Sequence, residues 1–378
     1  MLALAGASWI TAAESDGTPP DGRYAPTPLG DWTLDGPDAE LQRLEMLSRA
    51  QLELTPEVAE RFAAEAFEPI RGALAPPLPA CRLLDAPPSG TSPKFDCVFD
   101  GGGVVKVKYG RNPEIHAEAA ATTLMRRLGY PTDVVTIVPR LRCYGCPRYP
   151  FLAAHLQAAF AFPLLPADGY TEFEWVAVER KFPAPAIETA GRKGWAWWEL
   201  ERSRAPRATL DRLRLTAVFL AHWDNKSDNQ RLICLDAPSA MPAEPCARPV
   251  AMIQDLGATL GPSKVNLARW RHLPIWEDRA ACTVNMRALP FEGGTFPATP
   301  ISEEGRTQLV RGLRDITDAE LARLFSDARF PDFQVGTEDD GDLKAWIAAF
   351  RERVDRIAEG GPCPAAADLA DQGGLDTE

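Results

Sequence analysis

Two apolar runs between Phe219 and Gly261 each carry acidic or amide side chains at one end. Asp224, Lys226 and Asn229 stand before the first run, and Asp255 follows the second. Magnesium prefers hard oxygen ligands and is held by one or two carboxylates together with substrate phosphates. A further carboxylate can accept the proton of an attacking hydroxyl. The pattern therefore predicts phosphoryl transfer with magnesium; an Asn- and Asp-rich turn joining two strands is the purely structural alternative.

Lysine is rare in this acidic chain. The 378 residues carry a net charge of −12, and only eight of the 41 basic residues are Lys. This charge disfavours binding to nucleic acid or to an anionic membrane surface, both of which attract basic faces. It does not exclude ATP, because a metal and a few cations balance its charge locally. Four of the eight lysines lie in candidate site motifs, namely Lys94, Lys106, Lys108 and Lys226.

A small, glycine-containing loop precedes a predicted hairpin. The loop has the sequence SGTSPK, and the hairpin has strands FDCVF and VVKVKY joined by DGGG. Backbone N–H groups and one Lys in such a loop can cover the phosphates of a nucleotide. We therefore expect phosphate contacts from Ser89, Gly90, Thr91, Ser92 and Lys94. The alternation in VVKVKY places Lys106 and Lys108 on one face, directed at phosphates or simply exposed to solvent.

The elements around these motifs are predicted from periodicity and from breaking residues. Residues 114–128 read as a helix carrying Glu118, a candidate partner for a strand Lys. Residues 174–182 alternate as a strand carrying Glu179, and residues 210–221 form a buried helix leading to His222. Further helices are predicted over residues 302–325 and 342–358.

The chain is expected to divide into five parts. These are an apolar, signal-like and then irregular N-terminus (1–35), a helical extension (36–75), a first lobe (76–180), a second lobe (181–362) and an acidic, irregular tail (363–378). The first thirteen residues have the apolar core and small residues of a secretory signal but lack its basic start. No transmembrane segment is expected, because no other apolar run approaches the length that spanning requires.

Eight cysteines fit an oxidising compartment. The expected pairs are Cys143–Cys146, Cys234–Cys246 and Cys282–Cys363. A zinc site needs about four ligands, which one C-x-x-C motif and four His supply poorly. Free buried thiols in a cytosolic protein are the remaining alternative. The favoured location is periplasmic or secreted, and otherwise cytoplasmic.

The order of these motifs resembles the protein-kinase-like superfamily over about residues 85–260. The nearest resemblance is to atypical bacterial members of the HipA type, with CotH and secretory-pathway kinases as wider relatives. Ser89 to Phe95 is similar to the HipA-type phosphate loop, Val107 to Tyr109 to its Val-Lys-Phe strand, and Val178 to Arg180 to its Val-Glu-Arg hinge. The resemblance implies an α+β, two-lobed fold, with a small β-rich first lobe containing one key helix and a mainly helical second lobe.

The resemblance also implies roles for individual residues. Lys108, or alternatively Lys106, would contact the phosphates of ATP and pair with Glu118. Asn229 and Asp255 would hold Mg²⁺. Asp224 would orient or deprotonate the acceptor, and Lys226 would neutralise the transferring phosphoryl group.

The chain departs from the kinase pattern at several points. Trp223 stands where many kinases have Arg, Leu256 replaces the Phe of Asp-Phe-Gly, and no activation segment ends in Ala-Pro-Glu. The sequence therefore predicts an ATP- and Mg²⁺-dependent phosphotransferase whose acceptor, a protein or a small molecule, is open. Adenylyl transfer on the same fold and a nucleotide-binding pseudokinase are the alternative functions.

Overall fold

The computed structural model describes residues 31–55, 57–58, 61, 78–84, 90–99, 103–160, 169–182, 184–235, 246–286, 296–332 and 341–372. Ser89, residues 1–30 and most of the second half of the expected helical extension lie outside the described residues. Within them the fold is mixed α+β.

The strands, in chain order, are β1 (Trp32–Leu34), β2 (Ala80–Leu84), β3 (Lys94–Phe99), β4 (Val104–Lys108), β5 (Val134–Tyr144), β6 (Tyr170–Arg180), β7 (Ile187–Thr189), β8 (Gln230–Cys234), β9 (Pro249–Ile253), β10 (Thr283–Val284) and β11 (Thr299–Pro300). The α-helices are α1 (Ala39–Ser48), α2 (Pro113–Arg127), α3 (Pro150–Phe160), α4 (Arg207–Leu220), α5 (Leu267–His272), α6 (Glu303–Arg314), α7 (Asp318–Asp327), α8 (Leu343–Ala358) and α9 (Ala366–Gln372). Three short 3₁₀ helices cover Trp197–Arg202, Ser227–Asn229 and Phe330–Asp332.

Five strands close into a small barrel in the order β2-β3-β4-β6-β5, with β2 and β5 pairing in parallel. Successive residues of β3 alternate between buried and half-buried, as expected where one face of a strand is covered. The buried face fills the barrel with its own apolar cluster, which includes Cys97, Val105, Val107 and Val178. The opposite face of β4 carries Lys106 and Lys108, as the alternation predicts.

A larger apolar core joins α2 to the helices that follow the barrel. Asn112 caps the start of α2 by accepting from the Glu114 N–H, and Pro113 occupies its first turn. The helix α2 also packs against α7. The ring Nδ1 of His116 lies 2.8 Å from the Ala328 carbonyl oxygen, and Arg127 Nε lies 3.5 Å from Glu320 Oε1. Contacts from α7 and the segment after it thus fix the position of α2.

Two expectations about the C-terminal third are wrong. Residues 302–325 form two helices rather than one, because Thr317 and Glu320 make a capping box that starts α7. The expectation of an irregular tail after Cys363 also fails, since α9 forms there. Glu304 accepts a hydrogen bond from the Ala366 N–H at 2.9 Å, and Leu369 is buried.

The helix α1 packs on the Trp197–Arg202 turn and on β7 and β9. Its Arg43 is fully buried, donates to the Gly194 carbonyl oxygen at 2.9 Å and pairs with Glu199 and Glu40. Gln51, just beyond the helix, forms a parallel bridge with Val250 of β9. The first described part of the extension therefore supports the region after the barrel.

All eight cysteines are paired. The three predicted pairs are present, and Cys81 in β2 joins Cys97 in β3 as a fourth. Among the helices of the described ranges, none combines the length and the apolar character that crossing a membrane requires.

Candidate functional site

The β8–β9 hairpin brings Asn229 close to Asp255. Gln230 pairs with Ile253 in antiparallel register, so the residues on either side of this pair meet at the end of the hairpin. The Gln254 N–H donates to the Asn229 carbonyl oxygen at 3.2 Å. Asp255 then leaves the strand with φ +54°, a left-handed conformation that Asp tolerates better than most residues.

The loop that carries Asp224 starts at the end of α4. Ala221 adopts φ +56° and ends the helix with a left-handed residue. The Asn225 side chain donates to the His222 carbonyl oxygen at 2.6 Å, and the Asn229 side chain donates to the Asp224 carbonyl oxygen at 2.7 Å. These two amides hold the loop in a fixed shape and present the Asp224 carboxylate beside Lys226, whose Nζ lies 3.1 Å from Asp224 Oδ1.

Lys108 is the centre of the charged groups in the site. Its Nζ lies 2.6 and 2.7 Å from the two carboxylate oxygens of Glu118, 3.4 Å from Glu179 and 3.5 Å from Asp255 Oδ1. Burial opposes the charge of Lys108, but these three acids hold its pKa well above the usual value. Burial raises the pKa of Glu118 to about 7 against the effect of Lys108. Burial also opposes ionisation of Asp255, but neighbouring lysines, Lys108 foremost, keep its pKa below the usual value.

Lys106 has a different partner. Its Nζ lies 3.0 Å from Glu179 Oε1, and the two residues are directly opposite in the β4–β6 ladder. Burial opposes the charge of Glu179, yet Lys106 and Lys108 keep its pKa well below the usual range. The sequence left open which Lys faces Glu118, and the geometry separates the two: Lys108 pairs with Glu118, and Lys106 with Glu179.

The phosphate-type loop folds back over the start of β3. Gly90 adopts φ +64°, and a side-chain carbon at this position would lie 2.9 Å from Lys94 Nζ, so a larger residue would push that ammonium away. The Ser92 hydroxyl donates to the carboxylate of Glu114 in the first turn of α2. This contact ties the loop to the helix that carries Glu118.

These groups line one cleft of about 730 Å³ between the barrel and the β8–β9 hairpin. Every predicted site residue inside the described ranges lines it: Gly90, Thr91, Ser92, Lys94, Lys106, Lys108, Glu118, Glu179, Asp224, Lys226, Asn229 and Asp255. Ser89 lies outside the described residues. Six of the chain's eight lysines line this cleft, although the protein as a whole is strongly acidic. Arg231 and eight carboxylates line it as well, namely Asp31, Glu114, Glu118, Glu179, Glu188, Asp224, Asp228 and Asp255, and this mixed lining suits a phosphate ligand that arrives with a divalent cation.

Several lining residues were missed from the sequence. They are Asp31, Glu114, Lys181, Glu188, Lys193, Asp228, Gln230, Arg231, Gln254 and Ala258. Because Lys is rare in this sequence, Lys181 and Lys193 could also have been considered as candidate site residues. Asp31 gave no signal, because its place depends on the pairing of β1 with β7, far along the chain.

The residues fit a magnesium ion. The Asn229 amide nitrogen is engaged with the Asp224 backbone, which leaves the amide oxygen as its ligand atom. Asp255 supplies an ionised carboxylate. One carboxylate and one amide oxygen, completed by phosphate oxygens, suit Mg²⁺. Among the described residues no group of three or more His, Cys, Asp or Glu side chains is placed to hold a metal ion.

Comparisons with known proteins give distant likenesses. No protein-family model and no curated protein sequence matches the chain. Among solved structures it is similar to the Helicobacter pylori proinflammatory kinase CtkA, with 10% identity, a TM-score of 0.39 and coverage of 80% of this chain and 100% of that one. It is also similar to the Golgi casein kinase with Mn/ADP bound, with 11% identity, a TM-score of 0.37 and coverage of 88% and 90%. A second structure of the Golgi casein kinase gives 11% identity and a TM-score of 0.36, with coverage of 93% and 96%. All three of these structures are kinases.

Proposed function

We propose that this protein is an ATP- and Mg²⁺-dependent phosphotransferase with a two-lobed, protein-kinase-like arrangement. The observation that carries this proposal is the position of the Lys108 ammonium between Glu118 and Asp255, in a cleft that also holds Asp224 and Asn229. This ammonium is held by the buried Glu118 and Glu179 and by the more exposed Asp255, so it is fixed in place before the ligand arrives. Phosphoryl transfer depends mainly on such positioning and on stabilisation of charge.

Each group then has a distinct task. Lys108 and the backbone of the Gly90 to Lys94 loop bind the phosphates of ATP. Asp224 receives the hydroxyl proton of the acceptor and orients the attacking oxygen. Lys226, 3.1 Å from Asp224, balances the negative charge that develops on the transferring group.

Asn229 and Asp255 would hold the metal, which would neutralise charge on the β- and γ-phosphates. Gln254 helps to place this pair, because its N–H fixes the Asn229 backbone. The four disulfides support function in an oxidising compartment, periplasmic or extracellular.

The proposal is tested by measuring ADP formation from Mg-ATP, with the products analysed by mass spectrometry. We expect turnover by the wild type, and a loss of at least ~100-fold in Asp255→Asn. Asp315→Asn, which changes a carboxylate just after α6, is the matched control and keeps full activity. Full turnover in Asp255→Asn overturns the metal assignment, and release of pyrophosphate with transfer of AMP replaces phosphotransfer by adenylyl transfer.

A further inference from the structure

The two walls of the cleft can be followed away from the groups proposed to bind the metal and the phosphates. On the barrel wall, Lys106 lies two positions before Lys108 in β4, and the alternation of the strand puts both on the same face. On the opposite wall, Arg231 of β8 lies two positions after Asn229. All four side chains line the cleft. Lys106 and Arg231 therefore form a second layer, next to a first layer that contains Lys108, Asn229 and Asp255.

Ion pairs make up this second layer. Lys106 Nζ lies 3.0 Å from Glu179 Oε1, and Arg231 Nη2 lies 3.4 Å from Asp31 Oδ1. Burial and the nearby Glu179 raise the pKa of the buried Asp133, whereas Arg231 and Lys106 oppose that rise. One carboxylate thus lies close to the cations of both walls, which places these two cations at the same level of the cleft. The layer is charged but balanced, because each cation has an acidic partner.

Further charged side chains line the cleft beside the second layer. They are Lys181, Glu188 and Lys193. Burial raises the pKa of Glu188, Asp31 acts in the same direction, and Lys193, Arg231 and Lys181 act against it. These five groups are therefore close enough to interact, and charges of both signs surround whatever part of a ligand extends past the first layer.

Apolar side chains are few in the described lining of the cleft. Among the described lining residues they are confined to Trp223 and Ala258, which lie in the loops that carry Asp224 and Asp255. A nucleotide base is recognised by apolar surfaces that cover its ring faces and by a few placed polar groups at its edge. Arg231 can stack on a base, but stacking accepts every base because each has a π-face. The second layer therefore offers little that distinguishes one base from another.

The same layer suits a sugar. Carboxylates accept hydrogen bonds from hydroxyl groups, and ammonium and guanidinium groups donate to them. Glu179 and Asp31 supply the first kind of group, and Lys106 and Arg231 supply the second. A nucleotide whose phosphates bind at Lys108 would meet these groups with its sugar, and its base would lie beyond them.

We propose that the cleft uses nucleoside triphosphates as a class of phosphate donor, and that it recognises the triphosphate and the sugar but not the base. This inference rests on the proposed function and names the donor class for the same site, of which ATP is one member. The acceptor oxygen forms a bond to the γ-phosphorus as the bond from that phosphorus to the β-phosphate oxygen breaks. The acceptor proton passes to Asp224 and then to solvent, and the nucleoside diphosphate leaves.

The test supplies the full chain with the magnesium complexes of ATP, GTP, CTP and UTP in separate reactions and measures nucleoside diphosphate release. We expect the four values of kcat/KM to lie within ~10-fold of one another. Asp255→Asn should lose at least ~100-fold with each donor, which controls for a contaminating nucleotidase. A preference for any one base greater than ~10-fold overturns this inference.

A variant of the second layer gives an independent readout. Lys106→Met should raise KM by the same factor, ~10-fold, for all four donors, because Lys106 meets a part of the nucleotide that they share. A rise in KM with one donor that is absent with the others contradicts this inference. Turnover of ATP alone overturns it and leaves the proposed function standing, whereas absence of diphosphate release from all four donors overturns the proposed function itself.

Discussion

Arg353 of α8 donates to the backbone carbonyl oxygen of Phe219 from both Nε (3.2 Å) and Nη2 (2.9 Å). It also donates to the carbonyl oxygens of Val218, Trp270 and Leu273. The guanidinium is fully buried, and burial lowers its pKa well below the usual value. Its partners include the last carbonyls of α4, where a cation also meets the negative end of the helix dipole. Arg353 thus helps to fix the helix end from which the Asp224 loop departs, together with Trp270, whose Nε1 donates to the same Phe219 carbonyl oxygen at 2.8 Å.

Arg353→Met should therefore destabilise the protein by about 3–5 kcal/mol, because five hydrogen bonds from a buried guanidinium are lost, although the carbonyl oxygens of Val218, Phe219 and Trp270 each keep a second donor. Urea denaturation gives the free energy of unfolding. Arg314→Met, which breaks an exposed pair with Asp355, is the control and should change stability by less than about 1 kcal/mol. If Arg353→Met lowers the free energy of unfolding no more than Arg314→Met does, the end of α4 does not depend on Arg353.

Ala221 ends α4 in the left-handed conformation, which costs most residues about 1–2 kcal/mol and glycine very little. In Ala221→Gly, relief of this cost offsets the lost methyl group, so we expect stability to change by less than about 0.5 kcal/mol. Ala217→Gly, one turn earlier in the same helix, should cost about 1–2 kcal/mol. If Ala221→Gly and Ala217→Gly lose the same stability in thermal or urea unfolding, the left-handed conformation of Ala221 is contradicted.

Lys108 and Lys106 should differ in their effect on catalysis. Lys108→Met removes the ammonium that we propose contacts the phosphates and should lower kcat by at least ~100-fold, whereas Lys106→Met should act mainly on KM for ATP, by ~10-fold. Lys108→Met also leaves Glu118 without its cation, so stability should fall by about 3–5 kcal/mol.

Adding Glu118→Gln to Lys108→Met provides the control, since it removes the stranded charge. The double variant should recover most of the stability and none of the activity. Recovery of both would mean that Lys108 acts on the fold alone, and a larger kcat effect of Lys106→Met would exchange the two roles.

His222 should make the protein sensitive to mild acid. Burial lowers the pKa of His222 to about 4 from 6.5. In the unfolded chain the ring binds a proton below about pH 6.5, whereas in the folded protein it stays neutral down to about pH 4. The contribution of this neutral ring to the free energy of unfolding is therefore complete above pH 6.5 and is lost as the pH falls from 6.5 to 4. The loss between pH 7 and pH 5 should be about 2 kcal/mol. In His222→Gln this part of the loss should be absent when unfolding is measured at both pH values; an unchanged pH dependence would contradict the shift.

The sequence located most of the candidate site because its residues occur in short local patterns. Alternation in β4 placed Lys106 and Lys108 on one face, and the hairpin bounded by Asn229 and Asp255 follows from two apolar runs. Periodicity alone could not decide whether Lys108 or Lys106 pairs with Glu118, because the answer depends on where α2 crosses β4. Thr317 and Glu320 form a capping box that could have predicted the start of α7. A single helix over residues 302–325 was predicted instead, because only the apolar periodicity was considered there.

The contacts of His116 with Ala328 and of Arg127 with Glu320 hold α2 from the side away from the cleft. If the proposed phosphotransferase were switched by breaking the Lys108–Glu118 ion pair, α2 would have to move away from β4. Here such a swing would first have to separate α2 from α7. We therefore expect the Lys108–Glu118 pair to stay formed with or without ligand. The rate of the proposed enzyme would then depend on the concentrations of ATP and acceptor rather than on a conformational switch.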